Sequence, residues 1–162
     1  MDNDAIVRRQ LLELLKGGNA HMGLDEAVKD FPMDRINENF PNGTYSPWHL
    51  LEHIRLSQAD ILEFISGSGY AEKEWPRDYW PAMGTQGTRK DWDATLSGIR
   101  KDAKELEIIV SSPKTDLCAK VSSGTGQTLV REILLVADHF AYHIGEFAIM
   151  RQVMGTWSKG HK

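Results

Sequence analysis

Residues 127–154 read QTLVREILLVADHFAYHIGEFAIMRQVM, the longest uninterrupted helical pattern in the chain. At about 100° per residue, its apolar residues and two of its histidines share one face, the face that a helix normally turns towards a protein core. The members of that face are Leu129, Val136, His139, Phe140, His143, Phe147 and Met150. The sequence therefore predicts a buried helix whose histidines point into the interior rather than into water.

Three further stretches carry the same period and are separated by turn residues. Helices are predicted over residues 4–16, from Pro47 to Gly67 with Ser46 as the N-cap, and from Thr88 to Pro113. Asn19 is expected to cap a short helix towards Phe31, and residues 115–121 are expected to be extended. Because segments with a strand period are nearly absent, we expect an all-α fold, a four-helix bundle with a long loop between the second and third long helices.

Length and composition exclude several classes of protein. A chain of 162 residues fits one domain spanning residues 1–162, and its net charge of −4 argues against binding to a nucleic-acid backbone. The first ten residues carry no apolar run, so we predict neither a signal peptide nor a membrane span. The single cysteine, Cys118, has no partner for an internal disulfide, and a cytoplasmic location is the expectation.

Four of the six histidines form two pairs with i, i+4 spacing, one pair on each of two predicted helices. His139 and His143 lie one helical turn apart, close enough to bind one ion. On the second long helix, His53 lies at the border of the apolar face, and His49 is rotated further towards solvent. If the two helices face each other, His53, His139 and His143 converge on one point. Three imidazoles suit Zn, Ni, Cu or Fe and leave one coordination position open.

A metal-free interpretation stays open beside this one. Buried histidines need hydrogen-bond partners, since an unsatisfied buried polar group costs about 1–3 kcal/mol. A backbone carbonyl or a carboxylate such as Glu132 or Glu146 would serve. With a metal present, the same glutamates become candidates for orienting the imidazoles or relaying protons.

The segments 45–54 (YSPWHLLEHI) and 138–146 (DHFAYHIGE) resemble the DinB/YfiT-like superfamily. In that family one histidine of the second helix joins a His-x-x-x-His pair on the fourth, and Gly-Gln usually follows the last histidine. The resemblance places the metal ligands at His53, His139 and His143, with Gly145-Glu146 in place of Gly-Gln. It covers nearly the whole chain and implies an up-down-down-up bundle, a homodimer and a divalent metal, most often Zn or Ni.

The resemblance also indicates a range of reactions. Members of the family include thiol-dependent S-transferases, a maleylpyruvate isomerase and metal-dependent hydrolases. We therefore expect a small-molecule substrate and either hydrolysis or transfer of a low-molecular-weight thiol such as glutathione or bacillithiol. Arg55, Arg89 or Arg151 are candidates to bind an anionic thiol. A non-catalytic metal-binding or stress-response bundle and a metal-free dimer are the alternatives.

The loop around Trp75 and Trp80 has neither a helical nor a strand period. We consider three roles for it: one wall of a substrate pocket over the metal, a cover for the end of the core, or a dimer contact. The glycine-rich segment 124–128 lacks the lysine of a phosphate-binding loop, and we interpret it as a turn that precedes the last helix.

Overall fold

The computed structural model describes residues 3–67 and 69–158, and its regular structure is helical. Five α-helices follow one another: α1 (Asn3–Lys16), α2 (Leu24–Val28), α3 (Pro47–Ser66), α4 (Arg89–Ser111) and α5 (Leu129–Met154). The described residues contain no strand, only a single antiparallel β-bridge between Lys120 and Thr128. The predicted all-α class is confirmed. The described residues contain five α-helices because the five-residue helix α2 comes before α3.

The helix starts predicted at Ser46 and Thr88 are found. The Ser46 side chain accepts a hydrogen bond from the backbone N–H of His49, and Pro47 occupies the first turn of α3. Thr88 and Asp91 form the equivalent reciprocal cap of α4. Each cap satisfies backbone donors that the first turn of a helix leaves without a partner.

Two predicted boundaries are wrong. Asn19 does not cap α2, which has Gly23 at that position; the Asn19 amide donates to the carbonyl of Glu13, near the end of α1. The last helix begins at Leu129 rather than Gln127. Val121 donates to the Gln127 carbonyl at 2.8 Å, and this pairing holds the chain extended for two more residues.

Packing of the apolar core brings α3 against α5. α3 packs on α4 and α5, and α1 packs on the same two helices. One apolar cluster joins α3, α4 and α5 through residues such as Leu50, Ile99 and Phe147, which are almost fully buried. A second cluster, around Leu106 and Ile133, lies between α1, α4 and α5. The inward faces of α3 and α5 are therefore brought together along the segments that carry the histidine pairs.

The α5 helix is long and apolar enough to cross a membrane, by length and composition alone. Core helices of bundles meet the same criterion, and α5 packs against α1, α2 and α3.

Candidate metal centre

The His139 and His143 pair is presented by the inward face of α5, as its spacing predicts. The two ring centroids lie 4.4 Å apart. His143 is buried, whereas His139 is partly open to solvent. Because side chains four residues apart stack on one side of a helix, the backbone of α5 alone sets this spacing.

The α3 helix contributes His53, which is buried to 2% exposure. Its Nε2 lies 3.2 Å from Nε2 of His143 and 3.2 Å from Nε2 of His139. One ring nitrogen from each of the three histidines lies within 4.8 Å of the others. The structure thus brings together the three residues that the sequence predicted to converge.

In two of these rings, the hydrogen bond made by Nδ1 decides that Nε2 is the nitrogen that faces the cluster. Nδ1 of His53 lies 2.8 Å from the carbonyl oxygen of Tyr79, and a carbonyl accepts only, so this nitrogen carries the proton. Nδ1 of His143 donates in the same way to Oε2 of Glu146, at 2.7 Å. In their neutral forms both rings therefore direct an unprotonated Nε2 at each other across 3.2 Å. Two lone pairs at this distance repel each other unless a cation or a proton lies between them.

The spacing of the nitrogens fits a metal ion. A tetrahedral zinc ion with Zn–N bonds of about 2.0–2.1 Å holds its ligand nitrogens about 3.3 Å apart. Both measured Nε2 separations from His53 are 3.2 Å. Both fixed outer nitrogens are also bonded to a carbonyl or a carboxylate, the partners usual for metal-bound imidazoles. The residues present therefore fit a three-histidine site.

Glu146 connects the cluster to Tyr45. Its Oε2 accepts from His143, and its Oε1 accepts a short hydrogen bond from the Tyr45 hydroxyl. Burial raises the pKa of Glu146, but the hydrogen bonds from His143 and Tyr45 outweigh burial and the net pKa is lowered. The carboxylate thus stays ionised and orients His143, one of the roles predicted for it.

Burial also lowers the pKa of two of the imidazoles. The pKa of His139 is lowered to about 4, mainly by desolvation and to a lesser extent by the neighbouring His143 and His53. The pKa of His53 is lowered by burial, although the bond to the Tyr79 carbonyl opposes this shift. Neutral imidazole is the form that binds a metal, so these two rings are ready ligands at neutral pH.

Aromatic residues of the loop that follows α3 cover His53. The indole of Trp80 stacks on the His53 ring with centroids 4.0 Å apart and planes 4° from parallel. Trp75 approaches the same ring edge-on at 6.1 Å. The loop therefore lies against His53, and the three roles considered for it stay predictions. A mostly apolar cavity of about 550 Å³ lies beside Trp80; Tyr45 and Arg77 also line it, and none of the three clustered histidines does.

His49 does not join the cluster. Its Nδ1 faces Ser46, 3.2 Å from the backbone nitrogen and 3.0 Å from the hydroxyl, in the cap of α3. Position 49 lies in the first turn, where a side chain reaches back to the N-cap, whereas position 53 is one turn further into the bundle. Glu132 is also absent from the site: it is buried and accepts from Arg131 at 2.7 Å.

The three arginines considered for an anionic thiol lie elsewhere. Arg55 is paired with Glu52 at 2.6 Å, and Arg89 is exposed at the start of α4. Arg151 is buried near the end of α5, where it donates to main-chain carbonyls. The arginine that lines the cavity is Arg77, which periodicity did not single out because it lies in the aromatic loop.

The Trp80 indole belongs to the loop that was considered as a wall over the metal. Three other contacts of the histidines and their partners were not predicted: the Tyr79 carbonyl, the Tyr45 hydroxyl and the bond between Asp60 and Tyr79. Of these residues only Asp60 has a sequence signal, since it follows His53 by seven residues and shares its helix face. The others depend on how the loops fold back.

Comparison with known proteins adds no relative to this description: no family model, curated protein or solved structure matches the chain.

Proposed function

We propose that the protein binds one divalent transition metal ion through His53, His139 and His143. The observation that carries this proposal is the 3.2 Å separation between Nε2 of His53 and Nε2 of His143, two rings whose Nδ1 atoms face a carbonyl and a carboxylate. A hydrogen bond from a protonated ring would relieve one such contact. However, His139 brings a third nitrogen to the same point, also 3.2 Å from His53, and one cation satisfies all three.

The ligand set favours Zn or Ni. Imidazole nitrogens suit these borderline ions, and three protein ligands leave one coordination position for a substrate or water. When bound, such an ion supplies Lewis-acid activation of a water or of a substrate thiol. The protein holds the imidazoles in place through Tyr79 and Glu146, and Trp80 keeps water away from one face of His53.

We further propose an enzyme that acts on a small molecule, by thiol S-transfer or by hydrolysis. The apolar cavity beside Trp80 supports a small-molecule substrate. Arg77 at its edge pairs with Glu74 at 2.8 Å and with Asp78 at 2.9 Å, so an anionic thiol such as glutathione or bacillithiol would have to compete with these carboxylates for it. The resemblance to the DinB/YfiT-like superfamily supports the same reactions. An up-down-down-up bundle and a cytoplasmic location belong to this proposal as expectations of the resemblance and the composition.

One observation favours a second function, a non-catalytic metal-binding bundle with a structural ion. The three histidines join α3 to α5, and His53 also holds the loop at Tyr79. A structural ion at this junction adds several kcal/mol to the free energy of unfolding, and a chelator then unfolds the protein. With a catalytic ion the fold persists after chelation, so circular dichroism before and after chelator separates the two functions.

Elemental analysis tests the proposal directly. We expect close to one equivalent of transition metal per chain in untagged protein, or after incubation with Zn or Ni. His139→Ala/His143→Ala is the control and is expected to hold none. Wild-type protein that takes up neither metal would refute the site and leave the metal-free bundle.

A homodimer is the expected assembly, and α5 supplies the surface that supports it. Leu134, Tyr142, Ile149 and Val153 are exposed and fall along one side of this helix. A second copy on this stripe would also lie beside the metal centre, because the Tyr142 ring contacts His143 at 4.8 Å. Light scattering should give twice the chain mass of 18.3 kDa for the wild type.

The matched variants for this measurement are Ile149→Arg on the stripe and Ile108→Arg on α4, both at exposed positions. Only the first is expected to give a monomer. A wild-type monomer, or equal effects of the two variants, would remove α5 as the dimer surface.

A further inference from the structure

Asp60 is a buried carboxylate that holds the aromatic loop against α3. It is 7% exposed, and its Oδ2 accepts a hydrogen bond of 2.7 Å from the Tyr79 hydroxyl. The Nζ of Lys73, from the same loop, lies 3.4 Å from Oδ1. Burial raises the pKa of Tyr79 and the bond to Asp60 adds to this, so the phenol remains a hydrogen-bond donor.

The α3 helix therefore makes hydrogen bonds to Tyr79 at two points. Asp60 holds its side chain, and seven residues earlier on the same face His53 donates to its main-chain carbonyl. The two bonds depend on each other, because the carbonyl meets His53 only when the backbone at residue 79 is held at its present distance from α3.

The Tyr79 carbonyl decides which nitrogen of His53 faces the cluster. A neutral imidazole carries its proton on either nitrogen, and the acceptor beside Nδ1 fixes it there. Without that acceptor, Nδ1 still faces the hydroxyl of Ser57, whose Oγ is 3.5 Å away. A hydroxyl both donates and accepts, so Ser57 alone does not fix the proton. Nε2 would then be protonated for part of the time and closed to a metal.

We infer that Asp60 is a positioning residue for the metal centre, acting through Tyr79 to keep the Nε2 lone pair of His53 directed at His139 and His143. The inference rests on the proposed three-histidine site and adds a residue that touches none of the histidines in the contacts described. Outer contacts of this kind change metal affinity by about 10–100-fold when removed.

The test combines zinc affinity with the protonation pattern of His53. Zinc affinity is measured by competition with a chromophoric chelator for wild type, Asp60→Ala, Tyr79→Phe and the double variant. Glu63→Gln is the matched control, because Glu63 pairs with Lys73 at 3.0 Å but is exposed and does not contact Tyr79 in the contacts described. The ¹⁵N shifts of His53 in metal-free protein report which ring nitrogen carries the proton.

Asp60→Ala and Tyr79→Phe are each expected to weaken zinc binding by about 10–100-fold, with the double variant no weaker than either. Asp60→Asn, which keeps an acceptor for the Tyr79 hydroxyl, should recover most of the affinity, and Glu63→Gln should bind as wild type. In metal-free wild type the proton should be on Nδ1 of His53, and in both single variants it should be shared between the nitrogens.

Wild-type affinity and an unchanged His53 proton in both single variants would overturn the inference, even if their unfolding midpoints fell. Tyr79→Phe keeps the ring, so it serves if Asp60→Ala does not fold. If wild-type protein binds no zinc, the proposed function fails, yet the ¹⁵N shifts of the metal-free protein still decide whether Asp60 sets the His53 proton.

Discussion

The two histidine pairs have the same i, i+4 spacing, but they differ in how many of their side chains join the cluster. On α5, His139 and His143 both direct a nitrogen at the cluster. On α3, only His53 does so, while His49 bonds to Ser46 in the helix cap. The α5 pair lies in the middle of a 26-residue helix, and the α3 pair begins in the first turn of its helix.

This difference shows that spacing makes a pair of histidines capable of binding one ion but does not assign them to it. In the first turn, backbone donors without partners compete for side-chain acceptors, and His49 serves one of them. In a helix interior the backbone is satisfied, and the side chains are free to contact other helices. Distance from the helix end therefore separates the two pairs.

The largest expected effect is on metal binding, and it distinguishes His53 from His49 on α3. His53→Ala should reduce bound metal from close to one to below about 0.1 equivalents per chain, because two ligands from one helix hold an ion weakly. His49→Ala should keep the metal and cost about 1 kcal/mol of stability through the cap. Elemental analysis and urea unfolding measure the two quantities, and equal metal loss in both variants would contradict the assignment.

A smaller effect on metal binding is expected for Glu146, the hydrogen-bond partner of His143 in the α5 pair. Glu146→Ala removes the acceptor of His143 and should weaken zinc binding by about 10–100-fold. Glu146→Gln keeps an acceptor oxygen and should weaken it less. Competition titration with a chelator dye measures both affinities. If the two variants lose affinity equally, the charge of Glu146 matters rather than its hydrogen bond to His143.

The smallest effect concerns pH and the metal-free protein. The pKa of His139 is about 4 in the folded state, below the ordinary value of 6.5, so the unfolded chain binds more protons between these values. Stability should therefore fall as the pH falls from 6.5 towards 4. His139 is partly exposed, and we expect its share at pH 5 to be about 1 kcal/mol after allowing for solvent screening.

Urea unfolding in chelator at pH 7.5 and pH 5 checks this expectation. The decrease in unfolding free energy should be smaller in His139→Gln than in wild type, because glutamine does not titrate. A decrease of the same size in both proteins would show that the acid sensitivity comes from other groups.

Much of the helical framework could be predicted, because periodicity and caps are local properties. The caps at Ser46 and Thr88 were found where the sequence placed them, and the inward face of α5 contains His143 as predicted. Asn19 was misassigned because two acceptable uses of its side chain, as a cap for the next helix or as a donor to the previous one, look identical in sequence.

The sequence by itself determined the all-helical class and the stripe of α5 with two inward histidines, and it placed His53 nearer the apolar face than His49 without deciding between them. Only the tertiary structure decided that Nε2 of His139 and Nε2 of His143 each lie 3.2 Å from Nε2 of His53. It also decided that Tyr79 and Trp80 contact His53 and that Tyr45 donates to Glu146. The physical reason is the separation in sequence between the residues that interact. Helix faces follow from a repeat of 3.6 residues, whereas the contacts of a loop depend on packing between segments distant in the chain, which no local pattern records.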